Sequence, residues 1–158
     1  MAENVKTNVM RILEKEGIPH SVHYYDPEKG IDGLSVASQL GQDPQAVFKT
    51  LVTQGKSRGY YVFVIPVGAT LNLKLAAGAC KEKSIEMIPQ KILLPTTGYI
   101  HGGCSPIGMK KAFPTFIDET AQLFDTICVS AGKIGVQAEL SPDALCALTG
   151  AQYAALTD

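Results

Sequence analysis

Two stretches of this chain hold residue types that could do chemistry. The first is Val47-Phe48-Lys49-Thr50-Leu51-Val52, where one lysine interrupts a run of apolar, strand-forming residues. Alternation along a strand puts Val47, Lys49 and Leu51 on one face and Phe48, Thr50 and Val52 on the other. Burying an ammonium among apolar neighbours is costly unless a partner or a cleft receives it. Lys49 therefore reads as a cation on a pocket floor, facing a phosphate, carbonyl or carboxylate, or as a side chain snorkelling from a sheet edge. The second stretch runs from Thr97 through Gly98-Tyr99-Ile100-His101-Gly102-Gly103-Cys104-Ser105-Pro106-Ile107 to Gly108. So much glycine lets backbone approach a ligand closely, and exposed N–H groups in such a turn suit an anionic or carbonyl-bearing ligand. The same composition also makes a plain connector.

Other candidates are weaker. His101 and Cys104 pair an imidazole with a thiol three residues away, but such pairs are defined by spatial geometry rather than sequence proximity, and a buried, inert cysteine is the commoner state. Ser105 lies outside any G-x-S-x-G elbow, so its hydroxyl is expected to bind substrate or to form a turn before Pro106. His20 and His23 are read as sharing one strand face, half-exposed and without a third metal ligand. Tyr24, Tyr25, Tyr60 and Tyr61 could stack on a base or simply pack. The four cysteines, at 80, 104, 128 and 146, form no CxxC and no finger-like Cys-His spacing, so neither a metal nor another cofactor is expected.

Composition narrows the class. With 158 residues, 46% hydrophobic and 18% charged, the chain is long enough to bury a proper core as one domain, 1–158. No apolar run approaches a membrane span and Met1-Ala2-Glu3-Asn4-Val5-Lys6 lacks an export h-region, so the expectation is cytoplasmic, with no membrane partner. A net charge of −1 argues against coating nucleic acid broadly, DNA included. It leaves room for gripping one end of an RNA.

The elements that must position these residues can be read in order. Val5, Val9, Ile12 and Leu13 mark an amphipathic helix, capped by Asn4 and ended by Gly17. His20–Tyr25 reads as a strand, then a helix carries Leu34, Ala37 and Leu40 up to Gly41. Asp43-Pro44 caps a further turn. Val47–Thr53 and Tyr60–Pro66 form a hairpin about Gly55–Gly59, and the second of these is apolar on both faces, hence interior. A helix over Leu73–Ala79, a strand over Ser84–Ile88 and a helical turn over Pro89–Leu94 lead into the glycine-rich stretch. Strands over Thr115–Asp118, Thr126–Val129 and Val136–Leu140 follow, with a turn at Ser130–Lys133, and Ser141-Pro142-Asp143 opens a last helix closed by Gly150. The fold class expected is α/β, a mixed, largely antiparallel barrel-like sheet with surrounding helices.

The joint occurrence of Val47–Leu51, Thr97–Gly108 and Ser130-Ala131-Gly132-Lys133-Ile134-Gly135, in that order, resembles the YbaK/EbsC family, free-standing relatives of the editing domain of bacterial prolyl-tRNA synthetases. The resemblance covers nearly the whole chain and implies a trans-editing deacylase of mischarged tRNA, with cysteine on proline tRNA the expected substrate. It implies that Lys49 is the catalytic lysine and that Tyr25, Thr50, Gly102, Gly103, Ser105, Pro106, Ser130 and Gly132 bind substrate. The Gly102-Gly103 backbone would donate to the ester carbonyl. Partners would be the aminoacyl-tRNA 3′ end and prolyl-tRNA synthetase. Asp32, where some members carry phenylalanine, and Gln137, where others carry aspartate, depart from the pattern and bear on pocket shape. No general base stands at a motif position, which suits attack either by the cysteine substrate's own thiol, releasing a thiolactone in a lyase-like reaction, or by a held water. Editing of alanine or serine, and a non-catalytic module that binds tRNA or a synthetase, are the alternatives.

Overall fold

The computed structural model describes residues 6–158. Helix α1 (Asn8–Lys15) buries Val9, Met10 and Leu13 and is capped by Thr7, whose hydroxyl accepts from the Met10 N–H at 3.3 Å. The expected cap Asn4, with Val5, lies outside the described residues. Strand β1 (His20–Tyr24) leads to α2 (Gly33–Leu40), which starts where the Asp32 carboxylate accepts from the Ser35 N–H and stops at Gly41 in the left-handed region. There the burial differs from expectation. Val36 and Ala37 face the core, whereas Leu34 is 52% exposed.

Next come β2 (Phe48–Gly55), β3 (Tyr60–Pro66), α3 (Leu73–Cys80), β4 (Ile85–Met87), α4 (Leu93–Thr97) and β5 (Thr115–Asp118). The chain continues with β6 (Ile127–Ser130), β7 (Val136–Leu140), α5 (Pro142–Thr149) and β8 (Gln152–Ala154). Ser141 caps α5 through the Ala144 N–H, with Pro142 in the first turn.

The strands form two sheets, one ordered β1-β7-β6 and antiparallel throughout, the other ordered β4-β2-β3-β5-β8. In the larger sheet β4-β2-β3 is antiparallel, while β5 joins β3, and β8 joins β5, in parallel. A parallel bridge between Val47 and Cys128 links the two. The mixed, largely antiparallel character is as expected, but the barrel does not close. Beyond the Val47–Cys128 bridge the outer edge of β2 diverges from the smaller sheet, and a cavity opens there.

Packing explains the arrangement. One core lies between the two sheets, built from Phe48, Val52, Val64, Ile117, Val129 and Leu140 and plugged by Leu13 of α1 and Leu145 of α5. The reverse face of the larger sheet packs Phe63, Ile65 and Phe116 against Ala76 and Ala77 of α3. Strand β3 is thus buried on both faces, which is why its sequence shows no polar alternation.

The end of the described chain is tied down by Asp118. Its carboxylate is 1% exposed and accepts from the Leu156 N–H at 2.9 Å and, through the other oxygen, from the Thr120 hydroxyl at 2.6 Å. Asp118→Ala should orphan the buried Leu156 N–H and cost about 2–3 kcal/mol, read as a lower urea midpoint, with Asp118→Asn losing less.

Candidate functional site

A cavity of about 600 Å³ opens between β2 and the smaller sheet. Its geometry follows from the hairpin. Two bonds, Gly55 N–H to Gly59 O at 2.8 Å and Val67 N–H to Val47 O at 2.9 Å, set the register of β2 on β3. Residues 47, 49, 51, 53 and 55 therefore bond to β3, and the even-numbered ones direct their backbone groups the other way. On that side Val52 O accepts from Ile88 N–H, just past the end of β4. Nearer the cavity the Val47–Cys128 bridge takes up the Phe48 end of this edge, and at Thr50 no strand pairs with it among the described residues. The Thr50 hydroxyl oxygen, buried, has no hydrogen-bond partner among the described residues, an uncommon state for a buried polar group.

Lys49 lines the same cavity. Its ammonium makes no ion pair or hydrogen bond among the described residues, and burial pulls its pKa below the usual lysine value. A desolvated, unpaired cation at a cavity wall is poised for an anion or a polarised carbonyl.

The opposite wall is the glycine-rich loop. Gly102 lines the cavity with φ +88°, a conformation costly for other residues. Gly103 is needed for a different reason: a Cβ there would come 3.2 Å from the backbone nitrogen of Ile134. The loop and the turn after β6 therefore meet backbone to backbone. Gly132 completes that contact, with Val9 and the Tyr99 ring against it, and the Tyr99 hydroxyl donates to Ile107 O.

The structure thus brings together Lys49, Tyr25, Thr50, Gly102 and Ser130 on one cavity. It does not place Gly103, Ser105, Pro106 or Gly132 on its wall. The Gly103 N–H donates to Ile100 O at 3.0 Å, so the expected pair of carbonyl donors reduces to Gly102. Ser105 is fully buried and its hydroxyl accepts from the Ile107 N–H, the local turn weighed as the alternative. Ser130 accepts from the Gly132 N–H at 3.2 Å. Among the tyrosines only Tyr25 reaches the cavity; Tyr60 packs edge-on to Phe113, and Tyr61 donates to Glu82.

Cys104 also lines the cavity, but burial pushes its thiol up to about 12, and His101 is not among the groups that perturb it. The thiol is protonated at neutral pH, which removes it as a ready nucleophile. Asp32 stays ionised, its carboxyl held low by the Ser35 hydroxyl and N–H it receives as the cap of α2. Gln137, 4% exposed, is locked in a double amide pair with Gln42, at 2.7 and 3.2 Å. Ile31, Leu34 and Met87 leave apolar surface at the mouth. Neither the amide pair nor this rim was visible in the sequence, because their members are far apart in the chain and carry no local pattern.

The model of the aminoacyl-tRNA editing domain matches residues 32–148, a span that contains β2, the glycine-rich loop and the turn after β6. The chain belongs to the aminoacyl-tRNA editing domain family. A relative in Enterococcus faecalis (strain ATCC 700802 / V583), EbsC, is 48% identical over 153 residues, covering 96% of this chain and 93% of its own. It is named, provisionally, as a Cys-tRNA(Pro)/Cys-tRNA(Cys) deacylase. A solved structure described, again provisionally, as a trans-editing enzyme for prolyl tRNA synthetase superposes with TM-score 0.85 at 23% identity, covering 98% of this chain and 99% of that one. A hypothetical protein superposes with TM-score 0.88 at 20% identity, covering 96% and 100%. At these identities the structures show a shared fold. No helix among the described residues of this editing-family chain is long and apolar enough to cross a membrane.

An unpaired, partly buried ammonium is a cost to the fold. Lys49→Met should leave the melting temperature unchanged or raise it, and a marked fall would reveal a structural partner for Lys49. The sign with pH follows from the lowered pKa. Below the folded-state value both states are protonated and the penalty is fully present. Between that value and the ordinary 10.5 the unfolded chain binds more protons, so wild-type stability rises with pH and the advantage of methionine shrinks.

Proposed function

We infer that this protein cleaves the ester joining a wrong amino acid to the 3′ end of a tRNA, with cysteine on proline tRNA as the preferred substrate. The observation that carries this reading is the convergence of Lys49, the open β2 edge and Gly102 on one cavity, in a chain of the editing family. The name of the Enterococcus relative supports cysteine as the amino acid. A cavity of about 600 Å³ admits an aminoacylated nucleoside and leaves the tRNA body outside. The apolar rim of Ile31, Leu34 and Met87 suits the face of the terminal base, with Tyr25 beside it.

In this reading Lys49 holds a phosphate or sugar oxygen of the terminal nucleotide and so fixes the ester. Gly102 N–H donates to the carbonyl oxygen as negative charge gathers on it. Thr50 offers its free hydroxyl and backbone edge to the aminoacyl group, and Ser130 stands on the smaller sheet's side. Gly103, Ser105, Pro106 and Gly132 act one step back, by setting the path of the loop. The thiol of a bound cysteine attacks its own carbonyl carbon. A C–S bond forms, the C–O ester bond breaks, and the ribose oxygen takes up the proton the thiol gives up, leaving a thiolactone and free tRNA. For a substrate without a thiol, water must attack instead, and His101 at the cavity is the side chain placed to assist it. One heteroatom in a small pocket yields only about 1–3 kcal/mol of binding discrimination, so a nucleophile that only cysteine carries adds selectivity that binding cannot.

With a net charge of −1, affinity for free tRNA is weak and salt-sensitive. Delivery by prolyl-tRNA synthetase in the cytoplasm, to residues 1–158 acting as one editing domain, answers that weakness.

The test is deacylation of cysteinyl-, alanyl- and seryl-tRNA by wild type, Lys49→Ala and Cys104→Ala, with products identified by mass spectrometry. Lys49→Ala is expected to lower kcat/KM on Cys-tRNA about 100-fold or more, while Cys104→Ala keeps most activity. Thiolactone should appear from Cys-tRNA alone. Faster release of alanine or serine would reassign the substrate, and binding with no hydrolysis above the spontaneous rate would make the protein a non-catalytic tRNA-binding module. A second comparison separates the two nucleophiles: Thr50→Val should slow all substrates, whereas His101→Ala should slow only those lacking a thiol.

A further inference from the structure

The face of the smaller sheet turned away from the main core carries a second polar group, distinct from Lys49 and the glycine loop. Alternation puts His23 of β1, Glu139 of β7 and Cys128 of β6 on that one face. Register sets Glu139 directly opposite Cys128, with His23 one diagonal step away, paired to Gln137. His20, three residues from His23, lies on the other face, contrary to the shared face expected from sequence; its Nδ1 lies 2.8 Å from Ile18 O. Strand pairing brings His23 the ligands it lacks in the linear sequence.

We propose that His23, Cys128 and Glu139 form a binding site for a zinc-class divalent ion, with three protein ligands and one open position. The ligand atoms of all three lie within 4.8 Å of one another, and His23 Nε2 stands 2.6 Å from Glu139 Oε1. A nitrogen, a sulfur and a carboxylate oxygen together select borderline-soft ions such as zinc or cobalt over magnesium or calcium. Bonds of about 2.0–2.3 Å in a tetrahedron set neighbouring donors about 3.3–3.8 Å apart. The His23–Glu139 pair need open by only about 1 Å, and the sulfur, within 4.8 Å of both, approach by no more than about as much, to meet that geometry.

Two further features fit. The other oxygen of Glu139 already accepts from the Thr126 hydroxyl, so the carboxylate is oriented before any ion arrives. Cys128 is 4% exposed and seated among Ala37, Val47 and Val67, whereas the His23 and Glu139 side chains are each 32% exposed. The His23–Glu139 side of the group is therefore reachable from solvent. On binding, the thiol proton and any proton held between His23 and Glu139 leave to solvent. The ion would pin β1, β6 and β7 beside Ser130 and Gln137, and the site stands whether or not the cavity deacylates tRNA.

The test is titration of the reduced, metal-free full chain with cobalt(II), read by absorbance and thermal melting. A saturable, one-to-one thiolate-to-cobalt charge-transfer band is expected, displaced by zinc, with a rise in melting temperature. Cys128→Ser should abolish the band and Cys80→Ser should keep it. His23→Gln and Glu139→Gln should weaken binding by about tenfold or more; these two carry the test if Cys128→Ser fails to fold by circular dichroism. Absence of the band in folded wild type, binding only at millimolar metal, or a band that survives all three substitutions overturns the proposal.

Discussion

What happens at the cavity depends on β2 having no strand paired along its outer edge at Thr50, past the Val47–Cys128 bridge, among the described residues. A strand inside a sheet normally spends both sets of backbone groups on partners, and an edge strand exposes one set to water. Here the exposed set looks into a space walled by the smaller sheet, which among the described residues pairs with the β2 segment only at the Val47–Cys128 bridge. The failure of the barrel to close and the existence of a binding cavity are therefore one structural fact.

That open edge would collapse without rigid walls. On one side stands β3, buried on both faces, with Phe63 stacked on Phe116 at 5.6 Å. On the other, the glycine loop is clamped by Tyr99, whose ring lies against Gly132 and whose hydroxyl reaches back to Ile107. Cost and support are separated in space. The unsatisfied groups, Lys49 and Thr50, line the void beside Gly102, and well-packed elements hold them there, a division common at functional sites.

Much of this was legible in the chain. The hairpin about Gly55–Gly59, the caps at Asp43-Pro44 and Ser141-Pro142, and the doubly apolar β3 each follow from local chemistry. That Lys49 and Gly102 line one cavity was foreshadowed by the family resemblance alone, since nothing in their spacing dictates it. Elements that escaped did so for physical reasons. Strand β8 is three residues with no alternation, held by β5 and Asp118 rather than by its own pattern. Leu34 marks α2 in the sequence, yet its position on the helix turns it to the cavity mouth, which depends on what α2 packs against. The individual duties within the glycine loop, such as Gly103 making way for the Ile134 backbone, depend on a partner segment thirty residues downstream.

The direct backbone contact between Gly103 and residues 133–134 also bears on how such a pocket could drift over generations. A wall made of main chain offers natural variation little to work on, since any added side chain there would pry two segments apart. The freedom to remodel instead belongs to Ile31, Leu34 and Met87, exposed side chains that can swap size without disturbing a buried neighbour. Lineages would then diverge at the entrance while the main-chain wall behind it stays the same.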